Sequence, residues 1–535
     1  MDSLETEKES SESRGGVPMN TVKRHRMLLV QTVLFGLFPL LCALLYCMKD
    51  GHVPGDVYLP SSYWNDELMY FKQVEAVVSH GLPRGWFGFN EAHGSIYPFA
   101  AWSPVILLPW VLWGKLFGWS LTSPVYANIV FNMAALGGFV LLARPTVKQS
   151  VFVLGLLGAF MPYTRYMLSG MPEALCMSLG IWFVGLSISC IRKEKLWKII
   201  ALAGVVLFLT LSRPYLGLLF PVPLWFAAKR YRIRGILGMA AVMGAAAAGY
   251  VWVTGACSSP YIEPIVETEW LGIFGREGVG AGIGYIVSTL TDRFSILFDD
   301  FLKRAVKYGL FAGALYAVTG LLALALALRG IWAFRKKKEE GLKWLCLFQF
   351  AATAGMILAL FLFYRMGEGS KHLMIFIVTG LLLTAMLKER WMLLKVFAGA
   401  LCLYFFVAKA AAPYDWQVPY DDGALGQEAQ ELRAQAESGM VLRDTEERYD
   451  NTVIWLASDF VGEESVTAAW GLLYMIPEGY GINFCTWQYA SEHLEELRSG
   501  YIAVIPGGGI DKALAGEDTP VAAETEHMKV YCLRE

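Results

Sequence analysis

The stretch SPVILLPWVLWGKLFG, Ser103–Gly118, decides the fold. Counting it as a membrane crossing, or not, reverses the side on which everything after it falls. It is short for a hydrocarbon core of ~30 Å, and it carries Pro104, Pro109 and Lys115. Upstream, Lys23, Arg24 and Arg26 precede the apolar run Met27–Met48, which is long enough to cross. Downstream, ten further apolar runs occur between Ser123 and Ala408, separated by short basic clusters. These are Arg144 with Lys148, Arg192 to Lys198, Lys229 to Arg234, Arg335 to Lys338, and Lys388 with Arg390. Basic loops stay on the cytoplasmic side. If every run crosses, all of these clusters fall outside. If Ser103–Gly118 lies on the outer face, all fall inside with the N-terminus. The second reading gives eleven crossings and an outer C-terminus. Ser212-Arg213-Pro214 divides the Ile199–Ala228 stretch into two short crossings.

Composition supports a membrane chain. Of 535 residues, 56% are hydrophobic, with 53 Gly besides, and 17% are charged, against roughly 25% in soluble domains. Mean hydropathy is +0.44. These figures exclude a disordered chain, a disulfide scaffold and an ordinary cytosolic enzyme. A net charge of −2 gives no basic field for a nucleic-acid partner. Of nine Cys, Cys42, Cys47, Cys176, Cys190, Cys346 and Cys402 lie in apolar runs and act as small hydrophobes. Pairing of Cys485 with Cys532 stays open. No C-x-x-C or H-E-x-x-H spacing occurs.

The chain therefore divides into a polar, disordered cytoplasmic tail (residues 1–22), a transmembrane domain (23–410) and an extracytoplasmic domain (411–535). Two large outer loops, 49–121 and 256–307, interrupt the transmembrane part. Gly278, Gly280, Gly282 and Gly284 mark the second of these as a flexible loop. The last domain alternates strand-like runs (Thr452–Ala457, Ile482–Cys485, Tyr501–Ile505, Lys529–Leu533) with helical ones (Val466–Ile476, Ser491–Arg498), as a small α/β fold does. Gly507-Gly508-Gly509 reads as a loop, since no Lys-Ser/Thr follows to make a phosphate cradle.

In the first outer loop, Leu68, Phe71, Val74 and Val78 recur at helical spacing after the N-cap residue Asn65, with Lys72, Gln73 and Glu75 on other faces. This predicts an amphipathic helix lying on the membrane surface with Leu68 and Phe71 toward lipid. Asp66 and Glu67 fall in its first turn. Two acids there complement the helix dipole, and they can equally activate a hydroxyl at the water–lipid boundary. Trp64, Trp86, Phe87, Trp102, Trp110 and Trp113 suit an aromatic belt at the headgroups.

The order Asp66-Glu67, then Ile96-Tyr97-Pro98-Phe99, then Lys115-Leu116-Phe117-Gly118 resembles the first outer loop of the GT-C superfamily of integral membrane glycosyltransferases. This superfamily includes the protein O-mannosyltransferases and the lipid A aminoarabinose transferases. His93 loosely matches the histidine of the family's Pro/aromatic segment. The resemblance covers about Met27 to Arg213 and extends beyond it in layout. It implies a GT-C-like α-helical polytopic membrane protein of about eleven transmembrane helices, with surface helices in the first outer loop and a small C-terminal α/β domain. It implies a polyprenyl-phosphate sugar as donor, an extracytoplasmic glycan, lipid or protein as acceptor, and inversion at the sugar carbon. A monophosphate donor requires no metal, and the acid pair leaves a divalent ion open.

Glu173, at the head of an apolar run after Pro172, matches the family's acid in the second outer loop. As a first-turn acid it also complements a helix dipole. Arg213 matches the basic residue suited to a lipid-linked phosphate, and equally suits an interface anchor. Arg365, Glu368, Lys371 and His372 form a further outer cluster around Gly367 and Gly369. The resemblance thus implies Asp66 as general base, and Glu67 and Glu173 as acids orienting the acceptor. Arg213, Lys371 and Arg365 would hold phosphate, with His93, Tyr97 and His372 lining the substrate site. The expected protein is a multi-pass glycosyltransferase of a plasma membrane. A transporter or flippase for lipid-linked glycans is the rival class, and would carry its polar residues mid-span in paired halves. A polymer ligase is the other rival, with its key residues in the second loop.

Overall fold

Thr21–Met48 (α1) turns Leu29, Leu34, Leu41 and Leu45 outward, exposed, while its backbone polar groups are satisfied within the helix. Lipid tolerates that arrangement and water does not. The computed structural model describes residues 21–57, 66–81, 87–91, 103–257, 269–307, 311–335, 340–364, 369–411, 418, 420, 424–444, 449–456, 472–485 and 487–534. After α1 come Asp66–His80 (α2), Leu108–Phe117 (α3), Ser123–Ala143 (α4), Val147–Ala159 (α5), Met161–Met167 (α6), Glu173–Arg192 (α7) and Leu196–Ser212 (α8). They are followed by Pro221–Cys257 (α9), Glu269–Glu277 (α10), Val279–Lys307 (α11), Phe311–Arg335 (α12), Glu340–Phe363 (α13), Met374–Ala385 (α14) and Met392–Ala411 (α15).

Seven helices are long and apolar enough to cross a membrane. One of them folds back at Arg232 (φ 51°), where a Cβ on Gly235 would stand 2.1 Å from the carbonyl oxygen of Ala227. It therefore makes two passes. By the charge argument, three of the shorter apolar helices, Val147–Ala159, Leu196–Ser212 and Ser370–Ala385, count as passes of their own. The fourth, Pro104–Phe117, does not. Its Lys115 donates to the carbonyl of Val78 at the end of α2, so it lies beside that helix, and the charge argument required a non-crossing segment here. The passes number eleven among the described residues.

Every basic cluster within the described residues gathers at one end of this bundle. Lys148 pairs with Glu389 (2.8 Å), Lys229 pairs with Glu194 (2.7 Å), and Arg192 donates to the carbonyl of Arg144 (3.0 Å). The opposite end carries the heads of α4, α7 and α14 and the tail of α8.

Two expectations are corrected. The stretch around Gly278 to Gly284 is not a flexible loop. It is helical, in α10 and α11, and α11 presents Ile283, Val287 and Phe294 as an exposed apolar stripe suited to the interface plane. Nor does α2 carry a lipid-facing stripe. Leu68 and Phe71 are buried in a core shared with the C-terminal domain, and Tyr70 and Val74 in the core of the bundle.

The C-terminal domain adds helices Ala424–Gly439 (α16), Trp487–Glu492 (α17) and Gly509–Gly516 (α18). Its strands are Thr452–Leu456 (β2), Gly481–Cys485 (β3), Tyr501–Val504 (β4), Val521–Glu524 (β5) and Lys529–Cys532 (β6). A strand from the segment between α2 and α3, Phe87–Phe89 (β1), completes the sheet in the order β1-β3-β2-β4-β6-β5. β1, β3, β2 and β4 run parallel, and β6 lies antiparallel to both of its neighbours, β4 and β5. Side chains alternate with the pleat. Val453, Trp455, Tyr501, Ala503 and Val530 face a core that includes Tyr46, Cys47, Val125 and Leu68 from the bundle. Ile454, Ile502, Val504 and Tyr531 face a second core with Ile510 and Leu514. The domain is thus packed onto the bundle through continuous apolar contact. Cys485 and Cys532 are both free thiols. The tail before Asn20 and most of Val466–Ile476 lie outside the described residues.

Candidate functional site

The non-basic end of the bundle gathers charge that the helices expose at their breaks. Pro172 starts α7, so Glu173 stands in its first turn. The chain leaves α8 at Ser212, and Pro214 forbids continuation, which puts Arg213 in an extended link (φ −147°, ψ 115°). His372 sits in the short 3-10 turn 370–373 ahead of α14.

These three side chains meet, each with about 1% exposure. Arg213 Nη1 donates to Glu173 Oε1 at 2.7 Å and stands 2.7 Å from His372 Nδ1 and 3.1 Å from the Tyr215 hydroxyl. The Tyr215 hydroxyl is itself 2.7 Å from His372 Nδ1. A guanidinium keeps its protons, so Nδ1 faces a cation and an O–H. It is therefore the acceptor, and the ring proton belongs on Nε2. Glu173 Oε2 has no hydrogen-bond partner among the described residues. Lys371 is half-buried beside His372.

A groove of about 670 Å³ opens from this cluster, walled by Tyr215, Leu218, Met243, Val251, Phe363 and Tyr364 among others. Tyr215 and Tyr364 belong to both, since each ring lies 5.2 Å from that of His372. Met243 and Val251 are exposed on the bundle surface, so the groove reaches the lipid-facing side.

Two asparagines fix the link between α6 and α7. Asn128 Nδ2 donates to the carbonyl of Ser169 (2.9 Å), and Asn128 Oδ1 accepts from the Trp110 indole N–H (2.9 Å). Asn132 Nδ2 donates to the carbonyl of Ala174 (3.3 Å), and Asn132 Oδ1 accepts from the Tyr163 hydroxyl (3.2 Å). Trp110 is thus buried within the protein, contrary to its expected place in a headgroup belt.

The first-loop acids lie close by. Glu67 is fully buried, and a Cβ on Gly170 would stand 3.4 Å from its Oε2. A Cβ at 170 would press on the Glu67 side chain by a few tenths of an ångström, so glycine lets α2 sit close to this loop. Glu67 therefore belongs to the same end as Glu173, and tops no lipid-facing stripe. Asp66 begins α2, and its side chain lies outside the described residues, as do His93, Tyr97, Arg365 and Glu368. Trp64, Trp86 and Trp102 also lie outside them.

The C-terminal domain holds α2 from above. Lys72, 8% exposed, donates to Glu75 (2.8 Å) and to the carbonyls of Tyr474 (3.1 Å) and Ile476 (2.7 Å). Burial pulls the Lys72 ammonium below its usual range and pushes the Glu75 carboxyl above its own, while each opposes the other's shift. Glu91 closes a second link. Its carboxylate accepts from the amides of Arg498 (2.8 Å) and Ser499 (2.7 Å) and from the Ser499 hydroxyl (2.5 Å).

Sequence reasoning singled out Glu173, Arg213 and His372, which the fold brings together. It passed over Tyr215, Asn128 and Asn132. The signal for the asparagines was present, since two amides at i and i+4 in an apolar span need internal partners. Among the described residues no three His, Cys, Asp or Glu side chains form a metal-binding group.

No family model matches the chain, and no curated protein matches it. Among solved structures it is similar to ArnT from Cupriavidus metallidurans. The apo form shares 10% identity over 96% of this chain and 98% of that one, with a TM-score of 0.41. The form bound to undecaprenyl phosphate gives the same identity and coverage with a TM-score of 0.40. What the chain's own coordinates define is a multi-pass helical membrane protein with a sheet domain over a buried charged site.

Proposed function

We propose that this protein is a membrane glycosyltransferase that uses a polyprenyl-phosphate sugar as donor. The observation that carries the reading is the buried Arg213–Glu173 pair at the head of an apolar groove that reaches lipid. An amphiphilic anion fits such a place, with its chain in the groove and its phosphate at Arg213, Lys371 and Tyr215. Arg365 and His372 complete this set in the proposal. The sugar then points toward α2, Glu173 and the first-loop residues His93 and Tyr97.

The chemistry needs few groups. The acceptor oxygen forms a bond to the sugar C1 while the bond from C1 to the phosphate oxygen breaks. The electron pair leaves with the lipid phosphate, and the acceptor proton goes to a carboxylate, for which we assign Asp66. Proton transfer to so weak a base is late and concerted with departure. Glu173 Oε2 can accept a hydroxyl of the acceptor or sugar, and Glu67, wedged on Gly170, orients the start of α2. Arg213 and Lys371 stabilise the charge that grows on the phosphate. The site opens to the extracytoplasmic side of a plasma membrane, with the basic end and N-terminus in the cytoplasm, and the acceptor is an envelope glycan, lipid or protein.

Incubating the purified chain with a panel of radiolabelled polyprenyl-phosphate sugars and envelope acceptors tests this. Release of polyprenyl phosphate coupled to labelling of an acceptor is expected. Movement of intact lipid-linked sugar across liposomes without its cleavage would overturn it in favour of a flippase.

A further inference from the structure

The opposite end of the bundle carries a second groove, of about 900 Å³, between α12 and α15. Its walls include Leu321, Leu324 and Leu328 of α12 and Leu393 and Phe397 of α15, all exposed toward lipid. Its head is different in kind. Arg329, 1% exposed, lies with its guanidinium 5.5 Å from the ring of Trp391, and Arg390 stands 5.5 Å over the ring of Trp332. The two indoles meet edge to face at 5.0 Å.

We propose that this groove binds one anionic glycerophospholipid of the leaflet at the basic end. Its phosphate would lie at Arg329 and Arg390, and an acyl chain along Leu328 to Leu321. Three observations point to that occupant. Two arginines line the groove head, each over one ring of the indole pair, and a guanidinium matches the geometry of a phosphate. The Trp391 indole N–H is shielded from solvent and donates to nothing among the described residues, so it offers a third donor there. The acid next to Arg390, Glu389, is turned to Lys148 (2.8 Å). The seven helical steps of α12 from Leu328 to Leu321 span about 10 Å, which accommodates the upper part of an acyl chain. An arginine held at membrane depth beside an apolar channel suits a charged headgroup above a chain. A zwitterionic lipid would place its own ammonium against the same cations.

Native mass spectrometry of the full chain in detergent tests this. Phosphatidylglycerol and phosphatidylcholine of identical chains are titrated in competition. Wild type should retain one phosphatidylglycerol in preference by about tenfold or more, the scale of hydrogen bonds to a charged group. Arg390→Gln alters an exposed residue, and should lose most of that preference, which Arg390→Lys should partly restore. Trp391→Phe should weaken retention without changing the fold. Equal retention of both lipids by wild type would overturn the proposal. So would an unchanged preference in Arg390→Gln and Trp391→Phe together, or displacement of the lipid by millimolar glycerol phosphate.

Discussion

Lys72 of α2 donates to the carbonyl of Ile476 in the C-terminal domain at 2.7 Å, across 404 residues of sequence. Beside it the Phe71 and Tyr474 rings pack edge to face at 4.8 Å. The helix that begins with Asp66 and Glu67 is thereby gripped between the bundle and the sheet domain. A buried ammonium tolerates such a place because a carboxylate and two carbonyls replace its water.

Lys72→Met should destabilise the protein by about 3–5 kcal/mol, because it leaves Glu75 buried and unpaired. The double variant Lys72→Met/Glu75→Leu should recover much of this. Burial raises the Glu75 carboxyl above its ordinary 4.5. Without Lys72, the folded state then binds a proton that the unfolded state does not, so stability falls as pH rises above about 4.5. The deficit of Lys72→Met should accordingly shrink on going from pH 8 to pH 5. Thermal unfolding in detergent at both pH values checks it, and equal deficits for single and double variants would contradict the account.

Glu91 ties β1 to the sheet. Asn90 and Glu91 are both left-handed (φ 48° and 50°), a conformation that costs free energy in residues with a Cβ. The three bonds that the Glu91 carboxylate accepts from Arg498 and Ser499 hold it there. A glutamine offers one oxygen and turns an N–H toward a donor. Glu91→Gln should therefore speed hydrogen exchange in residues 87–91 and 501–504 while leaving α12 and α13 unchanged. Identical exchange of residues 87–91 and 501–504 in wild type and Glu91→Gln would deny the latch.

The eleven passes were legible because lipid leaves a long, one-dimensional signal, with apolar runs punctuated by cations. The strands of the C-terminal domain were legible too, since Val453 to Trp455 and Tyr501 to Val504 alternate between two cores. The misreadings share a cause. The polar residues Lys72, Gln73 and Glu75 look solvated in sequence, and they are covered by a segment about 400 residues away that no local pattern announces. β1 is three residues long and exists because β3 lies beside it. The charged site was half visible. Glu173, Arg213 and His372 each stood at a helix break, whereas Tyr215 looked like one more aromatic.

Removing Arg213 should weaken donor binding. Arg213→Gln leaves Glu173 buried without its cation, so it is compared with Glu173→Gln/Arg213→Gln, in which that strain is absent. Both should raise the apparent KM for donor about 10–100-fold, from the ~1.5–3 kcal/mol of a hydrogen bond to a charged group. The acceptor KM should move less. An unchanged donor KM in both variants would reject a phosphate role.

The orientation of the bundle has its own test. A single Cys placed near Lys148, at the basic end, should resist an impermeant thiol reagent in intact cells. One placed near Arg498, in the domain over the site, should react. The reverse pattern would invert the assignment of sides and place the site in the cytoplasm.

Asp66 and Glu67 are adjacent on α2, about 100° apart around the helix axis. Glu67 lies on the side that meets Gly170, fully buried, where its carbon chain fills the space a glycine leaves. A carboxyl so enclosed has no room to receive an incoming acceptor, but it fixes how α2 sits over Glu173. Asp66, one residue earlier, is the first residue of the helix, where the dipole favours a carboxylate. Asp66→Asn should therefore lower turnover by on the order of 10²–10⁴ with donor KM unchanged, as loss of a general base does. Glu67→Gln keeps the shape and should cost far less turnover, whereas Glu67→Ala should lower turnover and thermal stability together. If Asp66→Asn turned over normally in a stable preparation, the first-turn acid would be serving the helix dipole, and the base would have to be sought at Glu173.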